Sequence, residues 1–434
     1  MTQNIQIEGE RSQAEEMHTM ADSGAAPRFS VTVLTGGSDR PYVYGLTKAL
    51  CSVGATLDVI GSDELDEPEL RNRPGVRFLN LRGDQRPDVG LIAKIHRVLA
   101  YYWKLIRYAA TAKPKIFHIL WNSKFETFDR TLLMLYYKWL GKVVVLTVHN
   151  VNQRRRDSND TILNRFTLRF QYQLANHIFV HTEKMKGELM RGFGVPSRRI
   201  TVIPFGINNS VPETSLSYRE AKERLGLSQN QKTILFFGRI APYKGLEYLV
   251  TAFERLAHQH NDYRLIIAGR LEKGTEGYWE SIKKEINEYV ESGRILLRIE
   301  FIPDGETEVY FKGCDVLVLP YREIFQSGVI FLGFNFGLPV IAADVGSLKE
   351  EILEGVTGFT FKSGDPIDLA RALEDYFASA LFSNLEKRRK EIREFAVKRH
   401  SWEAVSEMTT GVYAYLLRGK SRIPSDAANL SPSD

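Results

Sequence analysis

Two segments of this chain combine residue types and spacing that could act on a phosphorylated substrate. In the first, Arg239 and Lys244 follow the apolar run 233–238 in a short loop flanked by Gly238 and Gly245. Two cations beside a helix start form a natural pocket for a diphosphate. The loop is not a Walker A motif, because the Gly-x4-Gly-Lys-Ser/Thr spacing is missing. In the second, His149 and Asn150 follow the run Val-Val-Val-Leu-Thr-Val at 143–148. A histidine there can serve as a hydrogen-bonding group or as a general acid/base. His118 and His181 sit inside or at the end of apolar runs and read as structural.

Two glycine-containing loops add weaker signals. Gly36 and Gly37 directly follow the first apolar run and permit close approach of a substrate to the backbone. They lack the Gly-x-Gly-x-x-Gly spacing of a dinucleotide site, which disfavours NAD. Gln326, Ser327 and Gly328 precede a helix expected to start near Val329. Free N–H groups of Gly328, Val329 and Ile330 at such a start would attract phosphate oxygens.

The elements that must position these residues are legible as short β-branched runs alternating with amphipathic segments. Runs at 29–34, 56–60, 116–120, 143–148, 177–181 and 200–203 read as buried strands of a parallel sheet. The pattern restarts with runs at 233–238, 264–269, 316–320, 339–343 and 358–361. In the helix after the first of these, Leu246, Leu249, Val250, Phe253 and Leu256 share one face. The fold class is therefore α/β, with two doubly wound, Rossmann-like parallel-sheet domains facing a cleft. The expected boundaries are a disordered segment 1–27, a first domain 28–207 and a linker 208–230. They continue with a second domain 231–400, a helix 401–418 and a tail 419–434. Ser217 and Glu220 form a capping-box pattern inside the linker. The helix 401–418 either caps the second domain or crosses back to the first.

Composition narrows the classes further. There are 58 Lys+Arg against 53 Asp+Glu, a formal charge of +5, too small an excess to indicate nucleic-acid binding. Hydrophobic residues make up 43%, ordinary for a globular chain and unlike a disordered one. The two cysteines, Cys51 and Cys314, match no metal or redox spacing and fit a reduced compartment. No apolar stretch is long enough to span a membrane, and the acidic first 27 residues do not read as a secretory signal.

Taken together, the motifs resemble glycosyltransferase family 4, retaining enzymes of the GT-B fold. The resemblance rests on Gly-Arg-x4-Lys-Gly at 238–245 and Phe-Gly-Leu-Pro-Val-Ile-Ala at 336–342. It is supported by Val202-Ile-Pro-Phe-Gly-Ile207, Asp344-Val-Gly-Ser-Leu-Lys-Glu350 and Gly355-Val-Thr-Gly-Phe359, and it runs from about residue 29 to 417. Thr147-Val-His-Asn150 also looks like the segment that carries an active-site histidine in the related glycogen synthases. The resemblance implies transfer of a sugar from a nucleotide-diphosphate donor to a glycan or lipid-linked acceptor, on the cytoplasmic side and with no metal or other cofactor. By the same resemblance Arg239 and Lys244 would hold the diphosphate, and His149 would contact the transferred sugar. Gln326, Ser327, Gly328 and Val329 would hold phosphate or sugar hydroxyls. Phe301, Ile302 and Pro303 would lie against the base, and Gly36, Gly37 and Gly238 would border the donor. One departure stands out: the two glutamates of the family pattern fall here on Ile324 and Leu332. Alternatives are therefore a catalytically impaired nucleotide-sugar-binding subunit or a sugar-nucleotide epimerase on the same fold.

The segment 94–115 sets Lys94, Arg97, Lys104, Arg107, Lys113 and Lys115 among Tyr101, Tyr102 and Trp103. Such a helix rests peripherally on anionic lipid, or it is a domain-surface helix with a buried apolar face. Sequence spacing accommodates both.

Overall fold

The computed structural model describes residues 29–36, 39–86, 90–156, 159–207, 211–324 and 327–418. The expected terminal segments 1–27 and 419–434, the linker residues Asn208 and Asn209, and the candidate site residues Gly37 and Gln326 lie outside the described residues.

The first sheet holds seven parallel strands, β1 (Phe29–Leu34), β2 (Ala55–Gly61), β3 (Val76–Asn80), β4 (Ile116–Ile119), β5 (Val143–Thr147), β6 (His177–Val180) and β7 (Ile200–Val202). Their order is β3-β2-β1-β4-β5-β6-β7. The second holds β8 (Lys232–Phe237), β9 (Tyr263–Ala268), β10 (Ile295–Arg298), β11 (Val316–Leu319), β12 (Val340–Ala343) and β13 (Gly358–Phe361). It is ordered β10-β9-β8-β11-β12-β13, again all parallel. The strand order reverses between β1 and β4 and between β8 and β11. Those two places open crevices at the carboxyl ends of the strands, where doubly wound sheets bind ligands. The loops singled out from sequence follow β1, β5, β8 and β11.

Strands β3 and β10 have no counterpart among the expected strands. Both are half-buried edge strands; β3 is interrupted by Arg77, and β10 is only four residues long and ends on the exposed Arg298, so neither shows the long apolar run of a central parallel strand.

Seven helices bear on the site and its surroundings. They are α1 (Arg40–Ser52), α2 (Leu91–Thr111), α3 (Ile162–Leu174), α4 (Leu246–Gln259), α5 (Gly328–Asn335), α6 (Leu385–Arg399) and α7 (Trp402–Arg418). Asp39 caps α1 by accepting from the Tyr42 N–H at 3.2 Å. Helix α4 opens at Gly245 with φ +63°, where a Cβ would fall 2.0 Å from the Pro320 carbonyl oxygen. Only glycine fits there, and its close approach seats the loop after β8 against the end of β11. Arg389 of α6 is buried and donates to the carbonyls of Phe311, Cys314 and Phe336, which holds the far end of α5 in place. The capping box at Ser217 and Glu220 is formed, and it starts the helix Tyr218–Arg224.

Helix α7 crosses back to the first domain. The Tyr413 hydroxyl lies 2.6 Å from His118 Nδ1 on β4. Trp402 is wedged between Gly45 of α1 and Gly206 at the end of the first domain, where a Cβ on either glycine would come within 2.3 Å of its ring. Its indole N–H donates to the Ile207 carbonyl at 3.0 Å. Tyr42, Phe205 and Phe331 continue this contact as a column of rings, with centroids 5.2 and 5.1 Å apart, from the first domain into the second.

No helix of the described residues is long and apolar enough to cross a membrane. In α2, Tyr101 and Tyr102 turn inward and are buried, while Trp103 is exposed. The tyrosines thus belong to the domain core and not to any outer surface.

Candidate active site

A cleft of about 480 Å³ lies between the two sheets. His149, Asn150, Trp121, Tyr42 and Asp39 line its first-domain wall, and Arg239, Tyr243, Lys244, Ser327, Gly328 and Val329 line the other. Phe205, Gly206 and Trp402 close its floor. The structure thus brings together His149, Arg239, Lys244, Ser327, Gly328 and Val329 from the sequence expectations.

Lys244 is 7% exposed, and its ammonium sits 3.7 Å from the centroid of the Tyr321 ring. That contact holds the cation by its attraction to the ring face. The Tyr321 hydroxyl lies 3.3 Å from Ser327 Oγ, so the lysine and the start of α5 share one support. Arg239 is half exposed and pairs with Glu272 at 3.2 Å. Of the three N–H groups expected to be free at the start of α5, that of Ile330 donates to the Ser327 carbonyl. Those of Gly328 and Val329 have no protein acceptor among the described residues. The second-domain wall therefore offers two cations and two backbone donors, while Asp39 is the only acid lining the cleft among the described residues. Such a surface suits a dianion.

Ile324 and Leu332, where the family pattern has glutamates, both line the same cleft and are buried. The departure therefore falls on the cleft itself. Gly238, with φ +111°, lies at the end of β8 just before Arg239. Gly36 supports the wall from behind, since a Cβ there would fall 2.5 Å from the Trp121 carbonyl oxygen. Phe301, Ile302 and Pro303 follow β10, two strands from β8, and are outside the cleft lining.

His149 stacks on Trp121, with centroids 4.1 Å apart and planes 5° apart, and meets the edge of Tyr42 at 4.6 Å. Its proton can be placed from its partners. Burial lowers the His181 pKa to about 4, so that ring is neutral. His181 Nδ1 lies 3.3 Å from the Ile203 carbonyl, which can only accept, so Nδ1 carries the proton. The bare Nε2 of His181 then accepts from His149 Nδ1, 3.1 Å away. Burial, with His181 and His118 nearby, also holds His149 well below the ordinary histidine value. Its Nε2 is therefore an unprotonated acceptor with no protein partner. That Nε2 is also shut off from solvent, so a ligand would reach it only after the ring or its neighbours shift, and, unprotonated, it cannot serve as a general acid.

His118 is fully buried between Tyr413 and Thr147, and burial lowers its pKa to about 3. His177 is likewise lowered to about 4. An unfolded chain titrates these rings near 6.5. Between about pH 6.5 and 4 the unfolded state binds more protons, so stability falls on acidification by about 1.4 kcal/mol per pH unit for each proton. Denaturation midpoints are expected to drop between about pH 6.5 and 4, most steeply in the lower half of that window. A flat profile would show that these rings titrate in the fold as they do in the unfolded chain.

A second cavity of about 240 Å³ adjoins the cleft at Trp121, His149 and Asn150, and Asn122, Glu126, Arg130 and Gln171 line it. Arg130 pairs with Glu126 at 3.0 Å and donates to Asn164 at 2.8 Å. Sequence patterning did not single out these residues, nor Asp39, Tyr42, Trp121 and Tyr321. Trp121 and Tyr321 directly follow the runs 116–120 and 316–320 but carry no cation, acid or base to mark them, the others lie farther along loops or within helices, and the strand order brings them together. No cluster of three His, Cys, Asp or Glu side chains able to hold a metal occurs among the described residues.

Comparison with known proteins places this geometry. Residues 217–399 match the family described as glycosyl transferases group 1, and residues 35–211 match that described as glycosyltransferase family 4. An uncharacterized glycosyltransferase of Methanocaldococcus jannaschii is 26% identical over 242 residues, 54% of this chain and 58% of that one. A D-inositol 3-phosphate glycosyltransferase of Streptomyces bingchenggensis is 28% identical over 256 residues, 58% of this chain and 55% of that one. The chain thus spans little more than half the length of the curated relatives it matches. Among solved structures, a sucrose-phosphate synthase of Thermosynechococcus elongatus superposes with a TM-score of 0.72 at 18% identity, covering 90% of this chain and 100% of that one. HepE of Anabaena, solved with UDP-glucose, gives 0.65 at 15% identity, covering 89% and 99%. With two family matches that together run from residue 35 to 399, and two facing parallel sheets of the GT-B kind, the chain belongs to glycosyltransferase family 4.

Proposed function

We propose that this chain moves a sugar from a nucleoside-diphosphate sugar to an acceptor hydroxyl with retention at the anomeric carbon, and without a divalent metal. The observation that carries this reading is the convergence of Lys244, Arg239 and the N–H groups of Gly328 and Val329 on one side of the cleft. These groups would neutralise the departing diphosphate where a metal ion otherwise serves. The loop after β10 lies two strand spacings, roughly 10 Å, from the loop after β8. That leaves room for a nucleoside whose base reaches Phe301, Ile302 and Pro303.

In the proposed step the bond from the anomeric carbon to the phosphate oxygen breaks, and the acceptor oxygen bonds to that carbon from the same face. The acceptor's proton passes to the departing phosphate oxygen. Once a shift of the ring opens it to the cleft, His149 Nε2 accepts from a hydroxyl of the transferred sugar, an interaction that strengthens as positive charge grows on the sugar ring. The adjoining cavity at Asn122, Arg130 and Gln171 receives a glycan or lipid-linked acceptor. Cys51 and Cys314 are free thiols, in keeping with a cytoplasmic setting.

Thermal shift against UDP-, GDP-, ADP- and dTDP-sugars identifies the donor, because a ligand stabilises the fold by RT ln(1 + [L]/Kd). UDP-glucose is the first to try, since HepE binds it. Transfer to a hydroxyl acceptor is expected to persist in EDTA, with product NMR showing the donor's anomeric configuration. An inverted product, or abolition by EDTA and rescue by a divalent ion, would overturn the mechanism. Ile324 and Leu332 in the cleft lining favour a second reading, a nucleotide-sugar-binding subunit without turnover. Donor binding with neither transfer nor hydrolysis would select it.

A further inference from the structure

Three neighbouring elements on one face of the first sheet each turn an apolar stripe outward. Their inner sides share one core. Leu105 and Ala109 of α2, Leu133 and Tyr137 of segment 126–139, and Leu168 and Tyr172 of α3 all pack in the same cluster over β4, β5 and β6. Hydrogen bonds from Tyr136 to the Ile106 carbonyl and from Arg130 to Asn164 join the three side by side.

Their outer sides are apolar where solvent would normally select charge. On α2 the exposed stripe is Ile92, Ile95, Leu99, Trp103 and Ile106, spaced three and four residues apart. The middle element adds Leu132, Leu135 and Trp139, the last 80% exposed. Helix α3 adds Ile162, Leu163 and Phe166, with Ile162 88% exposed. Single exposed apolar residues are ordinary, but contiguous stripes on three adjacent elements mark an interaction surface.

The charge on the outward stretches of these elements has one sign, the acids of segment 126–139 being Glu126, which pairs with Arg130, and the buried Asp129. Residues 91–111, 132–140 and 162–174 contain Lys94, Arg97, Lys104, Arg107, Lys138, Arg165 and Arg169, and no Asp or Glu. A second copy docking symmetrically would set these cations against themselves, which disfavours a homodimer. An anionic bilayer satisfies both features, with apolar and tryptophan side chains entering the interface and cations meeting the headgroups. Helix α2, at 21 residues, is roughly 30 Å long and lies along the surface of the domain. We infer that the face formed by α2, segment 126–139 and α3 seats this protein on an anionic membrane.

The residues lining the acceptor-side cavity, Glu126 and Arg130, belong to the middle element of that face. A membrane-seated chain would hold that cavity beside the headgroups.

The test is sedimentation of the full chain with phosphatidylcholine vesicles, with and without phosphatidylglycerol. Binding to the anionic vesicles is expected, weakened by salt. Lys104→Gln and Arg107→Gln together are expected to lower the partition coefficient by roughly fivefold per cation. Trp103→Glu with Trp139→Glu should lower it roughly a hundredfold, while the nucleotide-sugar thermal shift stays unchanged and so reports intact folding. Absence of binding to anionic vesicles, or equal binding by the tryptophan variant, would overturn the inference. So would a concentration-dependent dimer that the tryptophan variant abolishes, which assigns the face to a second copy. Vesicle binding is read without turnover, so its failure is distinct from failure of the proposed transfer.

Discussion

Replacing Lys244 by methionine is expected to slow sugar transfer by roughly a hundredfold or more, with little change in folding. A cation about 4 Å from developing charge is worth on the order of 4 kcal/mol at an effective dielectric near 20. Lys244 approaches that regime because it is nearly enclosed and rests on Tyr321. Methionine keeps the length of the side chain and removes only the charge. Arg239→Met should cost less, roughly tenfold, since its guanidinium is half exposed, screened by solvent and already shared with Glu272. The loss should appear in kcat more than in donor KM if the cations act chiefly on the leaving diphosphate. Near-normal kcat in Lys244→Met would remove this lysine from the reaction and the proposed metal-free mechanism with it.

Trp402→Ala is expected to cost about 3–5 kcal/mol of stability, the range for deleting a large buried aromatic. The cost should sit at the upper end, because the walls of the resulting hole are the backbones of Gly45 and Gly206 and cannot easily collapse. The lost bond to the Ile207 carbonyl adds an unsatisfied group at the end of the first domain. Trp402 also lines the cleft floor, so donor affinity should fall alongside stability. Urea midpoints and nucleotide-sugar titrations on the same samples check both. If stability falls while donor affinity holds, the floor does not shape the site. If neither changes, the packing described for α7 is wrong.

The central strands of both sheets were legible because each is covered on two faces and therefore reads as an unbroken apolar run. Lys244 and Arg239 were legible because glycines bracket them immediately after such a run. The edge strands β3 and β10 were not, since half of each faces solvent and carries charge. The cleft's first-domain wall was harder still to read. Asp39, Tyr42 and Trp121 come from loops and a helix far apart in sequence, and the reversal of strand order at β1 and β4 makes them neighbours. The acceptor state of His149 depends on the carbonyl of Ile203 acting through His181, a relation with no sequence spacing to betray it. Tyr101 and Tyr102 show the converse failure. Helical phase turns them inward, although composition grouped them with the exposed Trp103.

The hydrogen bond between His118 and Tyr413 links positions 295 residues apart. During synthesis, β4 is complete long before its partner exists, and at translation rates of about 5–20 residues per second the wait is roughly 15–60 s. Throughout that interval the emerging amino-terminal half lacks the element that covers β1 and α1, leaving apolar surface open to chaperones. Premature termination ahead of α7 would thus damage the half of the protein made first, and early stop codons should yield aggregates instead of a soluble, separately folded domain.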